Sequence, residues 1–176
     1  MCLVICKWDE KAGVLASEGR LMAQLAAPVA FGPVSQRIVA EDVFKVHRLA
    51  PSLAVGIVGW AHVTDELLAS LRAELTAYDE PVVTRHMERL KQKYPTAALQ
   101  AVLLGVRDGG VHAAAWYDAE PSRPYTAKVI ALGNTDLARS ACKLVRNGWP
   151  LQEVFARLSR KYPQINDRMK TEEIYL

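Results

Sequence analysis

The spacing of apolar residues changes character twice along this 176-residue chain, in the same sense each time. It opens with short, densely apolar runs. "CLVICKW" and "GVLASEG" flank the polar turn "DEKA", which predicts a hairpin. "SQRIVA", "VFKVHRL" and "PSLAVGIVG" predict further strands, whereas "RLMAQLAAPVAFGPV" from Arg20 fits neither period and reads as a partly ordered loop. The period then turns helical in "TDELLASLRAELTAY", with Leu67, Leu71, Leu75 and Tyr78 on one stripe. Thr64 is placed to cap that helix, with Asp65 and Glu66 in its first turn. A second helix follows Pro81, carries Val83, Met87, Leu90 and Tyr94 on one face, and stops at Pro95.

The pattern then repeats. "LQAVLLGV" and "VHAAAWYD" flank "RDGG", where Asp-Gly supplies the backbone angles of a tight hairpin turn. "AKVIALG" predicts another strand. A helix from about Thr135 turns Leu137, Ala141 and Leu144 inward and ends at Gly148; Pro150 opens the last helix, with Leu151, Val154, Phe155 and Leu158 on its apolar face. "EEIYL" near the end predicts an edge strand. The second helix of each half closes on similar letters, "RLKQKYP" and "RLSRKYP". Strands, two helices, strands, two helices: two antiparallel sheets packed face to face, each flanked by a helix pair, would bury every apolar face. The expected fold is therefore α+β, a four-layer α-β-β-α sandwich formed by one domain over residues 1–176.

Charge and cysteine content narrow the function. The net charge of +3 comes from interspersed signs with no basic run, so no nucleic-acid partner is expected. No apolar run approaches membrane-spanning length, and "MCLVIC" is soon broken by Lys7, Asp9, Glu10 and Lys11, so no signal peptide and no membrane contact are expected. Cys2, Cys6 and Cys142 have no metal-ligand spacing, and Cys2 and Cys6 share one face of one strand too far apart to bridge. The four histidines stand without partners at ligand spacing, so neither metal nor cofactor is expected. A reduced, cytoplasmic setting follows.

Cys2 sits directly behind Met1, which is usually trimmed before a small residue. A cysteine exposed in this way carries its own base, because the α-amine titrates near pH 8 beside the thiol. Such a site also needs a cation near the nucleophile, a carboxylate to hold that cation, and backbone N–H groups for the oxyanion. "LASEG" offers Glu18, "KVHRL" offers Lys45, "AVGIVGWAHVTDELL" offers Gly59, and "IALGNTDLARSA" offers Asn134.

These four segments, in this order behind an N-terminal nucleophile, resemble the proteasome β-type subunits, including the bacterial peptidase of the HslUV two-component protease. The resemblance covers nearly the full length. It implies an N-terminal-nucleophile hydrolase of peptide or amide bonds, with Cys2 in the place of threonine, Glu18 for aspartate, Lys45 as the lysine, Gly59 as the oxyanion N–H and Asn134 for serine. Trp60 stands where that family has a small residue and should reshape the substrate groove; the segment Arg20–Phe44 is longer than its counterpart. The resemblance further implies a homo-oligomeric ring or stacked rings, and an unfoldase ATPase as a possible partner. Two alternatives stay open: a non-catalytic proteasome-like ring or scaffold subunit, and a small-molecule amidohydrolase of the kind that also begins Met-Cys.

Overall fold

A computed structural model describes residues 2–24, 36–118, 120–121 and 128–176. In chain order the strands and helices are β1 (Leu3–Trp8), β2 (Ala12–Glu18), β3 (Leu21–Gln24), β4 (Gln36–Ala40), β5 (Val46–Ala50), β6 (Leu53–Gly59), α1 (Ala61–Glu74), α2 (Glu80–Lys93), β7 (Leu99–Arg107), β8 (Gly110–Tyr117), β9 (Glu120–Pro121), β10 (Val129–Gly133), α3 (Thr135–Arg146), α4 (Leu151–Lys161) and β11 (Met169–Tyr175). All strand pairs are antiparallel. One sheet has the order β10-β1-β2-β11, another β5-β6-β7-β8-β9, and β3 and β4 form a separate ribbon.

Local chemistry sets the turns. The β1–β2 hairpin is held by Asp9, whose Oδ1 accepts from the N–H groups of Lys11 (2.7 Å) and Ala12 (2.9 Å). Between β7 and β8, Asp108 and Gly109 both have positive φ (50° and 74°), as a type I′ turn requires. Asp79 caps α2 by accepting from Val82 N–H, and Asn134 caps α3 by accepting from Asp136 N–H.

Alternation along the strands splits the apolar residues among three cores. Leu3 and Ile5 of β1 pack with Leu137, Ala141, Val154 and Phe155 of α3 and α4. Leu99, Ala101 and Leu103 of β7 pack with Leu67, Leu71, Val83 and Met87 of α1 and α2. The intervening positions Val4, Cys6, Leu15, Val102, Leu104 and Leu132 meet between the two sheets. The approach there is close: a Cβ on Gly56 would lie 2.6 Å from Val4 Cγ1.

The similar helix ends do the same local work. Tyr94 and Tyr162 each follow the last helical residue and donate a backbone N–H to Leu90 and Leu158. Each then accepts from a residue three places on, Ala97 and Ile165, both at 3.1 Å. The preceding lysines, Lys93 and Lys161, lie over the two tyrosine rings at 5.0 and 5.2 Å.

Two expectations need correction. Thr64 does not cap α1: the helix starts three residues earlier, behind Trp60, and Thr64 Oγ1 donates to Ala61 O within its first turn. The strand explains this, because β6 runs to Gly59 and leaves one residue for the junction, while the apolar stripe already begins at Val63. The stretch after Arg20 is also not simply loop. Leu21–Gln24 pairs with Gln36–Ala40, and only 25–35 lies outside the described residues.

Candidate functional site

The site forms where β1 begins, β2 ends and β5 is about to start. Cys2 precedes β1 and is half-buried. Strand alternation places it on the same side as Val4 and Cys6, facing the other sheet. Glu18 closes β2, paired with Met169 of β11, and its side chain is completely buried. Lys45 comes immediately before β5 with only 9% of its side chain exposed.

Glu18 and Lys45 make an ion pair at 2.8 Å, Nζ to Oε1. The pair is anchored on all sides. Lys45 Nζ also donates to the carbonyls of Glu18 (3.1 Å) and Arg20 (2.7 Å), so all three of its N–H groups have acceptors. Glu18 Oε1 accepts in addition from Leu3 N–H at 3.4 Å, and Oε2 folds back to accept from Arg20 N–H at 2.6 Å. That return bond takes up the extra methylene that glutamate has over aspartate. Desolvation of two charges is costly, and this density of partners is what offsets it.

The Cys2 thiol feels both charges. Burial pushes it above the ordinary thiol range, Lys45 pulls it down and Glu18 pushes it up. Burial is the largest of the three, so the net direction is up. Cys6, fully enclosed between the sheets, is pushed much higher by burial alone.

Gly59 ends β6 opposite Leu99. A Cβ there would lie 2.5 Å from Ala98 O, which explains glycine without any unusual backbone angle. Ile57 N–H donates to Lys45 O at 2.9 Å. Alternate N–H groups of a strand point to the same side, so the Gly59 N–H points beyond the start of β5, toward the Lys45 end. Trp60 follows at 50% exposure, its ring 6.0 Å from that of His62, which meets Tyr94 edge-on at 5.2 Å. Asn134 lies next to Gly133, and its Oδ1 is engaged by Asp136 N–H in capping α3.

Several neighbours carry no local sequence signal. Ser17, fully buried, accepts from Lys45 N–H at 3.0 Å. Asn166, also buried, accepts from Gly19 N–H at 3.0 Å and donates to Glu41 O at 3.1 Å. Arg20 binds Glu41 Oε1 at 2.7 Å and the Pro163 carbonyl. Together they tie the α4–β11 connection to the chain segments bearing Glu18 and Lys45. Among the described residues, no cluster of His, Cys, Asp or Glu could hold a metal ion, and no helix is long and apolar enough to cross a membrane.

This arrangement sits on a known fold. The structure is similar to the crystal structure of eukaryotic HslV from Trypanosoma brucei, with a TM-score of 0.67 over 99% of both chains and 13% sequence identity. The sequence matches no protein-family model and no curated protein.

Proposed function

We propose that this protein is a proteasome-type, N-terminal-nucleophile hydrolase that cuts peptide or amide bonds through Cys2 after Met1 is removed. The observation that carries this reading is the enclosed Glu18–Lys45 pair, whose charges both act on the Cys2 thiol. The HslV-like fold and the three apolar cores support it by fitting a four-layer α-β-β-α sandwich.

The α-amine of Cys2 takes the thiol proton, and the thiolate attacks the substrate carbonyl carbon. The Gly59 N–H receives the resulting oxyanion. As the C–N bond breaks, the ammonium returns its proton to the departing amine. Water then attacks the thioester, releasing the acid and restoring the thiol. Lys45 acts in this scheme as a fixed positive charge. Its N–H groups are committed to Glu18 and Arg20, so it favours the thiolate through space rather than by passing protons. By analogy with the fold, the working form is a cytoplasmic homo-oligomeric ring that an unfoldase ATPase could feed.

The test is labelling of Cys2 by a thiol-reactive electrophile, read by mass spectrometry on protein with and without Met1, alongside peptide-amide turnover. Cys2→Ala should abolish turnover, and retention of Met1 should be as damaging because it ties up the base. Equal labelling of both forms, with no turnover in either, would sink the catalytic reading.

One observation favours a second reading, a non-catalytic ring or scaffold subunit: the net upward shift of the Cys2 thiol. That reading expects unchanged assembly in Cys2→Ala and no turnover by any form.

A further inference from the structure

Gln100 lies in β7, opposite Val58 of β6 and Tyr117 of β8. Its side chain reaches out of that five-stranded sheet into the other one. The amide oxygen accepts from Gly133 N–H at 2.8 Å, and the amide nitrogen donates to Gly133 O at 3.4 Å. A single primary amide thus clasps both backbone polar groups of one residue, as a neighbouring strand would. Gly133 ends β10 opposite Leu3 and has no room to spare. Its φ is +138°, and a Cβ there would lie 2.3 Å from the Cys2 carbonyl oxygen. Gly133 is therefore gripped by Gln100 and rests closely against the Cys2 backbone. Leu99, next to Gln100, stands opposite Gly59.

We propose that Gln100 is a positioning residue that fixes the separation between Cys2 and the Gly59 N–H. This rests on the hydrolase reading above, in which a tetrahedral adduct on Cys2 must place its oxygen at Gly59. The two sheets otherwise meet through Val4, Ala54, Val102 and Leu132, and apolar contact resists separation far better than it resists sliding. A hydrogen-bonded amide is directional and supplies the missing restraint. A shift of about 1 Å at a reacting centre can cost on the order of 100-fold in rate, so the restraint matters for the chemistry more than for the fold. Only glutamine meets the need at this position. Asparagine is a methylene too short, glutamate would set a carboxylate against Gly133 O, and methionine fills the space with neither bond.

The test uses the full chain carrying Gln100→Met or Gln100→Glu, with glycine amide NMR spectra, iodoacetamide alkylation of Cys2 and peptide-amide turnover as readouts. In both variants the Gly133 and Gly59 signals should move together, while those of Gly109 and Gly148, in turns with open surroundings, hold still. Alkylation of Cys2 should change by more than about threefold, and kcat should fall by about tenfold or more with KM little altered. Gln100→Glu keeps the side chain's size and serves if Gln100→Met does not fold. Movement of Gly133 alone, with Cys2 alkylation unchanged, overturns the proposal. A wild-type protein that turns over no peptide removes the hydrolase reading instead, and the spectra and alkylation rates still decide whether Gln100 sets Cys2.

Discussion

Lys45 Nζ sits 2.8 Å from Glu18 Oε1, and the two residues approach from different elements to meet where solvent barely reaches either. Neither charge has a water shell to fall back on, so each depends on the other. Lys45→Met should destabilise the protein by about 3–5 kcal/mol, because it strands an enclosed carboxylate. Lys45→Met combined with Glu18→Gln should cost clearly less than the two single changes added together. Denaturant unfolding of the four proteins measures this, and strict additivity would mean the pair is not coupled.

Thiol reactivity gives a prediction with a definite sign. Burial lifts the Cys2 thiol, so its alkylation should reach half its maximal rate at higher pH than a free cysteine does. Lys45→Met removes the downward pull and should move that midpoint further up; Glu18→Gln should move it down. Stability follows the same shift. The fold holds the Cys2 proton more tightly than the unfolded chain, so this contribution is complete below the ordinary thiol range and is lost as pH rises through the lifted value. Cys6 should stay unlabelled until the protein unfolds.

Gly133 and Gly148 offer a matched comparison, since both have positive φ and only one is crowded. Gly148→Ala meets open space and should cost about 1–2 kcal/mol through backbone strain alone. Gly133→Ala should cost more and should also alter Cys2 alkylation, because its Cβ must displace the Cys2 carbonyl. Thermal unfolding and labelling of the two variants separate strain from crowding.

Asn166→Leu should destabilise by about 1–3 kcal/mol, since it leaves the buried Gly19 N–H without its partner and frees Glu41 O. The local consequence is looser chain on either side of the Glu18–Lys45 pair. Hydrogen exchange at residues 18–20 and 41–45 should quicken relative to the helices; uniform change across the protein would argue against a local clasp.

The alternation of strand runs with helix pairs was legible because burial imposes a period on each element, and Leu3 to Trp8 or Leu67 to Leu71 display it locally. Glu18, Lys45 and Gly59 could be singled out because each lies in a short, ordered string of letters. What surrounds them could not. Asn166 and Gly19 are 147 residues apart, and Gln100 and Gly133 are 33 apart in different sheets. Neither pair leaves a periodic trace, since a lone polar contact is set by where the sheets pack. Thr64 misled for a related reason: a good capping residue lost to the position of the preceding strand.

The strand bearing Glu18 has β1 on one side and β11 on the other, with Met169 opposite Glu18 and Tyr175 opposite Ala12. While the chain is being made, β1 and β2 emerge early and can form their hairpin at once. The far edge of β2 then waits, bare, through the synthesis of everything up to residue 169. Its neighbours across that edge are among the most distant in sequence, and such pairings form slowly. A nascent chain therefore carries its acidic strand half-clothed for most of its time on the ribosome. The corner around Glu18 takes its mature shape late, after the helices have had time to settle.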